Sequence, residues 1–192
     1  MTKKSKQKGR LTVIAGPMFA GKTTKLITLY RVFKQTGNKV LCFKAEGGEV
    51  KNFIGSTDSH DARSLKVAFV DKKKPESILQ VVKRKRAKKI LIDAIHFFPE
   101  KKTKKVLDEL LRNGIDVVVN GLFYDYKKRR FPLVHDLFNL ADERTELFSV
   151  CEKCGAKAKH TEKVAGGKST LESTQTAQYI PVCSACHKIY KG

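Results

Sequence analysis

The run Gly16-Pro17-Met18-Phe19-Ala20-Gly21-Lys22-Thr23 fits the pattern G-x-x-x-x-G-K-[ST], and its surroundings constrain the fold more than any other stretch of the chain. The apolar run Leu11 to Ala15 precedes it and a helix-patterned stretch follows it. In that strand–loop–helix context the glycines let the backbone bend until its N–H groups converge on phosphate oxygens. Lys22 adds a point charge, Thr23 a hydroxyl for Mg²⁺, and the helix N-terminus a favourable dipole. The candidate phosphate-binding residues are Gly16, Pro17, Met18, Phe19, Ala20, Gly21, Lys22, Thr23 and Thr24. An ordinary glycine-bearing turn is the plain alternative, but it needs no such flanking pattern. The ligand implied is a nucleoside triphosphate.

Strand-like runs recur at 11–15, 39–44, 66–70, 89–93 and 115–120. Between them lie helix patterns: Leu26, Leu29, Tyr30 and Phe33 with Gly37 as a stop; Pro75 and Glu76 through Ile78, Leu79 and Val82; and 101–112, with Val106, Leu107, Leu110 and Leu111 on one face and Gly114 ending it. Strands alternating with helices imply an α/β fold with a mostly parallel sheet flanked by helices. The polar stretch 47–63 suits a long loop or a β-excursion. After Val150 the composition shifts to Cys, Lys, Gly, Thr and Ser with few aliphatics. The expected organisation is a basic tail at 1–9, a phosphate-binding α/β domain at 10–148 and a small metal-dependent domain at 149–192.

That last segment holds Cys151-Glu-Lys-Cys154 and Cys183-Ser-Ala-Cys186, with Gly166-Gly167 as a loop tip between them. Two C-x-x-C knuckles supply thiolates for tetrahedral Zn²⁺, whereas a redox dithiol would need only one pair. Such a short tail cannot build a core of its own, so a metal would substitute for one. Cys42 stands apart in a β-like run and reads as a small core residue. Ile90-Leu91-Ile92-Asp93 reads as a buried strand delivering a carboxylate to its C-terminal edge. There it would hold Mg²⁺ opposite Thr23, or else cap the next helix. Phe97, Phe98, Leu122 and Tyr126 follow strand ends, where ligands sit in open α/β sheets. Their aromatic rings either sandwich a base or pack the core.

Forty Lys and Arg against nineteen Asp and Glu give a net charge of +21. This describes either a lysine-rich solvated surface or a surface attractive to polyanions. The basic run Lys83 to Lys89 lies at an expected helix end, where cations suit the dipole, and has no interleaved aromatics for base stacking. A solvated face is therefore favoured over a nucleic-acid patch. No segment approaches the ~20 apolar residues needed to span a bilayer. The basic N-terminus lacks the apolar core of a secretory signal, so the cytoplasm is the expected compartment.

The phosphate loop, Asp93-x-x-x-Phe97-Phe98-Pro99, Gly121-Leu122-x-x-Asp125-Tyr126 with Phe131 beyond, and the late double knuckle occur in that order. Together they resemble the cellular-type thymidine kinases, over residues 10 to 190. The resemblance implies transfer of the ATP γ-phosphoryl group to the 5′-hydroxyl of thymidine, giving dTMP. It also implies a zinc-ribbon domain with a lasso loop closing over the nucleoside, and a homo-oligomer, commonly a tetramer. Met18, Phe97, Leu122 and Tyr126 match positions around the thymine ring, and Thr161 and Tyr179 match lasso positions touching the nucleoside. Ser59-His60-Asp61 resembles the stretch that follows the family's flexible loop.

Departures from that pattern concentrate in the chemistry. The family's strand-end signature is Asp-Glu-(Ala/Gly)-Gln-Phe-Phe, in which the Glu is the general base; this chain has Asp93-Ala94-Ile95-His96-Phe97-Phe98. The methyl group of Ala94 cannot accept a proton. His96 is a substitute base only if its ring faces the 5′-hydroxyl, and otherwise packs locally; Asp125 is a second acid nearby. The family's Asp-x-Arg has only Glu49-Val50-Lys51 as a counterpart, and Lys lacks the bidentate fork. Phe123 replaces the Asp of Gly-Leu-Asp, and Thr174-Gln175 replaces a lasso Gly-Gly. The leading expectation is an ATP-dependent deoxynucleoside kinase with impaired chemistry. A non-catalytic nucleotide-binding paralogue acting as a sensor, and a zinc-ribbon nucleic-acid binder, stay open beside it.

Overall fold

Alternation along the strands decides which helices cover which face of the sheet. In the computed structural model, which describes residues 7–45, 67–167, 169 and 176–191, the strands are β1 (Leu11–Ala15), β2 (Val40–Ala45), β3 (Val67–Val70), β4 (Lys89–Asp93), β5 (Asp116–Gly121) and β6 (Glu143–Glu146). They form one parallel sheet in the order β3-β2-β4-β5-β1-β6. Ile14, Val40, Cys42, Leu91 and Val118 point to one face and meet Leu26, Leu29, Tyr30 and Phe33 of α1 (Lys22–Gln35). Leu11, Val13, Phe43, Ile90, Ile92, Val117 and Val119 point to the other. There they meet α2 (Ser77–Lys85), α3 (Glu100–Arg112) and α4 (Pro132–Leu140) through Ile78, Val82, Val106, Leu107, Leu110, Val134 and Leu137. A period of two in the strands and of 3.6 in the helices thus gives three layers.

The α/β expectation holds, with element ends shifted by a residue or two. Cys42 is buried, as a core residue should be. Lys83, Arg84 and Lys85 occupy the last turn of α2, where their charges complement the helix dipole.

Within the α/β unit, one helix and one strand lie beyond the sequence-derived set. Helix α4 opens with Pro132 in its first turn, which fixes φ where no N–H is needed. Strand β6 reads Glu-Arg-Thr-Glu and carries no apolar alternation. It joins β1 through backbone pairing at the sheet's edge, where its charged side chains discourage a further strand.

The C-terminal lobe is two small antiparallel ribbons. One pairs β7 (Ser149–Val150) with β8 (Lys157–Ala158), the other β9 (His160–Ala165) with β10 (Gln178–Val182). Among the described residues its buried apolar cluster is Cys151, Ala158 and Val182, with Ile180, Cys183 and Cys186 against it.

Candidate functional site

The parallel sheet brings the C-terminal ends of β1, β2, β4 and β5 together, and the candidate residues lie along that edge. Gly16 leaves β1 beneath the chain at Leu147: a Cβ there would lie 2.3 Å from the Leu147 carbonyl oxygen, so only glycine clears it. Gly21, at φ 78°, turns the loop into α1 with no side chain across the helix N-terminus. The first-turn N–H groups are therefore left for a ligand. Phe19 takes a left-handed φ of 61° and is 61% exposed. Lys22 is half-buried and donates from Nζ to the Pro17 carbonyl oxygen at 2.5 Å. Desolvation pushes its pKa down to about 8, against the opposing pull of Asp93. Thr24 is exposed in the first turn, its carbonyl accepting from Thr28 Oγ1 at 3.0 Å.

Asp93 ends β4 and is 4% exposed. Its Oδ1 accepts from Thr23 Oγ1 at 3.3 Å and from Asn120 Nδ2 at 2.8 Å, while Oδ2 lies 3.4 Å from Lys44 Nζ. The next helical turn, Ile95–Phe97, starts at Ala94 without a side-chain cap, so Asp93 does not cap it. Oxygen ligands from a hydroxyl and a carboxylate, facing each other beside a phosphate loop, suit Mg²⁺. A hydroxyl that gives its proton to Asp93 keeps its lone pairs free for a cation.

Ala94 takes a left-handed conformation, φ 54° and ψ 50°, and its N–H donates to Asn120 Oδ1 at 2.7 Å. The His96 ring lies 4.4 Å from that of Phe97 and 5.0 Å from that of Phe131, centroid to centroid. His96 Nδ1 accepts from the Leu122 N–H at 3.3 Å. Burial, with the neighbouring Lys22 charge, pushes the imidazole pKa down to about 3. Asp125 is consumed locally: Oδ1 accepts from the N–H groups of Lys127 and Arg129, and Oδ2 pairs with Arg129 Nε at 2.7 Å. Phe98 is core, 5% exposed, while Phe97 is half-buried.

Several contacts fasten the C-terminal lobe to this edge. Met18 donates its N–H to Thr161 Oγ1 at 2.9 Å, and His187 Nε2 lies 3.0 Å from the Tyr126 carbonyl oxygen. Lys163, 1% exposed, runs between the rings of Tyr126 (4.9 Å), Tyr179 (5.8 Å) and Tyr190 (5.9 Å). Its Nζ donates to the carbonyl oxygens of Gly167 at 2.5 Å and Ser169 at 3.1 Å. Phe123, in place of an acid, stacks with His135 at 4.8 Å and meets Phe138 edge-on at 5.0 Å.

The sulfurs of Cys151, Cys154, Cys183 and Cys186 all lie within 4.8 Å of one another. Cys154 and Cys183 are 3.7 Å apart, too far for a disulfide. A tetrahedral Zn²⁺ with Zn–S of about 2.3 Å has S···S edges of roughly 3.8 Å, so the cluster is compatible with structural zinc. A backbone hydrogen bond from Cys183 is the main cause that lowers the Cys151 thiol, and one from Cys186 lowers Cys183. Glu162 ties the knuckles together, accepting from Lys153 Nζ and the Lys188 N–H, both at 2.6 Å.

Four participants escaped sequence reasoning: Lys44, Asn120, Glu162 and Lys163. The available signal was a polar or charged residue inside an otherwise strand-like run. Residues 47–63, including Glu49-Val50-Lys51 and Ser59-His60-Asp61, lie outside the described residues, as do Thr174 and Gln175. Among the described residues no helix is long and apolar enough to cross a membrane.

The family model described as thymidine kinase matches residues 9–187. The thymidine kinase of Bacteroides fragilis is 30% identical over 184 residues, which cover 96% of this chain and 89% of the relative. That of Ureaplasma parvum serovar 3 is 30% identical over 194 aligned positions, covering 96% and 85%. That of Pseudothermotoga lettingae is 27% identical over 180 residues, covering 93% and 95%. This chain belongs to the thymidine kinase family.

Proposed function

We propose that the protein is an ATP-dependent thymidine kinase whose proton-transfer step is impaired, forming dTMP from thymidine slowly. The observation that carries this reading is the open helix N-terminus at Gly21 facing the Thr23–Asp93 pair. Residues 16–24 would cradle the triphosphate, with Lys22 on its oxygens and Thr23 and Asp93 holding the cation. Mg²⁺, when bound there, neutralises charge on the phosphates. Met18, Phe97, Leu122, Tyr126, Thr161 and Tyr179 would surround the nucleoside, and the residues from about 149 onward would form the zinc-stiffened lobe that closes on it. A cytoplasmic protein fits the reduced thiols of that lobe, and a tetramer follows from the family resemblance.

Impairment follows from Ala94 and His96 together. Ala94 has no proton acceptor, and an imidazole with a pKa near 3 whose Nδ1 already accepts from Leu122 is a poor base. His96 is read as a packing residue. Phosphoryl transfer depends mainly on positioning and charge stabilisation, so loss of the base slows it without abolishing it. The test is incubation with Mg·ATP and a panel of pyrimidine and purine nucleosides, with nucleotide products resolved by chromatography. Slow ATP-dependent formation of dTMP supports the proposal. If ATP binds but no nucleoside is phosphorylated, even by Ala94→Glu, the non-catalytic nucleotide-binding reading replaces it.

A further inference from the structure

Asp93 is gripped from the two strands that flank its own. Lys44 is its registered partner on β2, on one side of β4, and Asn120 belongs to β5, on the other. Asn120 is 1% exposed and uses both ends of its amide. Oδ1 accepts the Ala94 N–H at 2.7 Å and Nδ2 donates to Asp93 Oδ1 at 2.8 Å. An N–H donor at Ala94 and a carboxylate at Asp93 leave only one sensible orientation of that amide.

The consequence is geometric. The terminal torsion of an aspartate is broad, so a carboxylate without partners presents its oxygens over a wide arc. Here Asn120 and Thr23 occupy Oδ1 while Lys44 lies on Oδ2. The carboxylate plane is fixed, and the acceptor that frees the Thr23 lone pairs stays in place. Through its other end the same amide secures the left-handed turn at Ala94, a conformation that a non-glycine residue adopts at a cost.

We propose that Asn120 is a positioning residue for the metal–phosphate centre: one side chain sets the orientation of Asp93 and the turn that follows it, and thereby the gain in ATP affinity that Mg²⁺ provides. This rests on the reading of Thr23 and Asp93 as cation ligands. The rival role for Asn120 is only to satisfy a buried backbone N–H in the sheet.

The test is calorimetric titration of the full-length, zinc-loaded protein with ATP, in excess Mg²⁺ and in EDTA. The ratio of the two affinities is the metal gain. In Asn120→Ala the gain should fall about tenfold, the scale of one lost hydrogen bond to a charged group, with metal-free affinity within about twofold of wild type. Asn120→Thr guards against misfolding, because a β-branched residue suits a strand while its hydroxyl cannot span both partners. The same loss is expected there, whereas a merely structural role predicts rescue. In an Asp93→Asn background Asn120→Ala should cause no further loss. A wild-type metal gain in either single variant, or losses that multiply in the double variant, overturns the inference alone. Absence of Mg·ATP binding by the wild type takes down the functional reading as well.

Discussion

The Met18 N–H donates to Thr161 Oγ1 at 2.9 Å, joining the loop after β1 to strand β9 of the C-terminal lobe. Thr161 is 3% exposed, so water cannot readily replace the hydroxyl if it is removed. Thr161→Val keeps the volume and leaves the Met18 N–H without an acceptor, at a cost of about 1–3 kcal/mol. Thermal unfolding should occur roughly 2–10 °C lower. If the lobe covers the nucleoside as proposed, the bond aligns it there, so the KM for thymidine should rise about tenfold and that for ATP much less. Thr161→Ser should behave as wild type. Equal effects on both KM values would show that the bond serves stability alone.

Residue 94 offers a gain-of-function test. The left-handed backbone there already carries a non-glycine side chain, and the position is only half-buried, so a longer side chain is not confined to the core. Ala94→Glu should raise kcat for thymidine by roughly 10²–10⁴-fold, the usual range for a positioned general base. ATP affinity should stay within about twofold, since the phosphate loop is untouched. Steady-state kinetics on the two proteins decide it. A kcat unchanged by the carboxylate would mean that proton transfer does not limit the rate.

The elements that carry the site could be read from the chain because their periodicities are plain. Leu11 to Ala15 and Ile90 to Asp93 are apolar enough to be strands wherever they sit, and the loop between Gly16 and Thr23 has few other uses. Strand β6 could not be read, because Glu143 to Glu146 pair through the backbone and leave no side-chain pattern. Nor could Asn120 or Lys163. A polar residue at a strand end looks like the start of a loop, and a lysine in a ribbon looks solvent-facing. Only the register beside Asp93, and the three tyrosine rings around Lys163, give these residues buried partners. His96 shows the same limit from the other side. Its residue type left a base and a packing residue both open, and only the structure shows its ring beside those of Phe97 and Phe131 with Nδ1 accepting the Leu122 N–H.

Lys22 should couple ATP binding to pH. Its pKa in the ligand-free protein is lowered to about 8 by desolvation, and triphosphate oxygens would raise it again. Above pH 8 the free protein has partly lost this proton and the complex regains it, so binding takes up to one proton. Affinity should fall by up to about tenfold per pH unit as pH rises through that range, and be level between pH 6 and 7.5. The lowered pKa also means that the unfolded chain holds the proton more tightly. Lys22 therefore opposes folding fully below pH 8 and progressively less as pH rises toward 10.5. Calorimetry at pH 8.5 in buffers of different ionisation enthalpy measures the uptake, which Lys22→Met should abolish. His96, held near 3, should contribute no inflection around pH 6.5 to the kcat profile.

The C-terminal lobe should depend on zinc at its four cysteines for folding, while the α/β core should not. Among the described residues its buried cluster is Cys151, Ala158 and Val182 with three flanking side chains, little apolar surface to order two ribbons unaided. The sheet, by contrast, is covered on both faces by helices. Cys151→Ser, or prolonged chelation of the wild type, should release about one zinc per chain and expose the lobe to proteolysis near residue 150. Mg·ATP affinity should change little, since Gly16 to Thr24 and Asp93 belong to the sheet edge, apart from what the Met18–Thr161 bond contributes. Thymidine binding should be lost on the proposed reading, because the proposed nucleoside contacts Thr161 and Tyr179 lie on β9 and β10. Zinc release followed with a chromogenic chelator, beside separate titrations of the two substrates, distinguishes this from global unfolding, in which both affinities would disappear together.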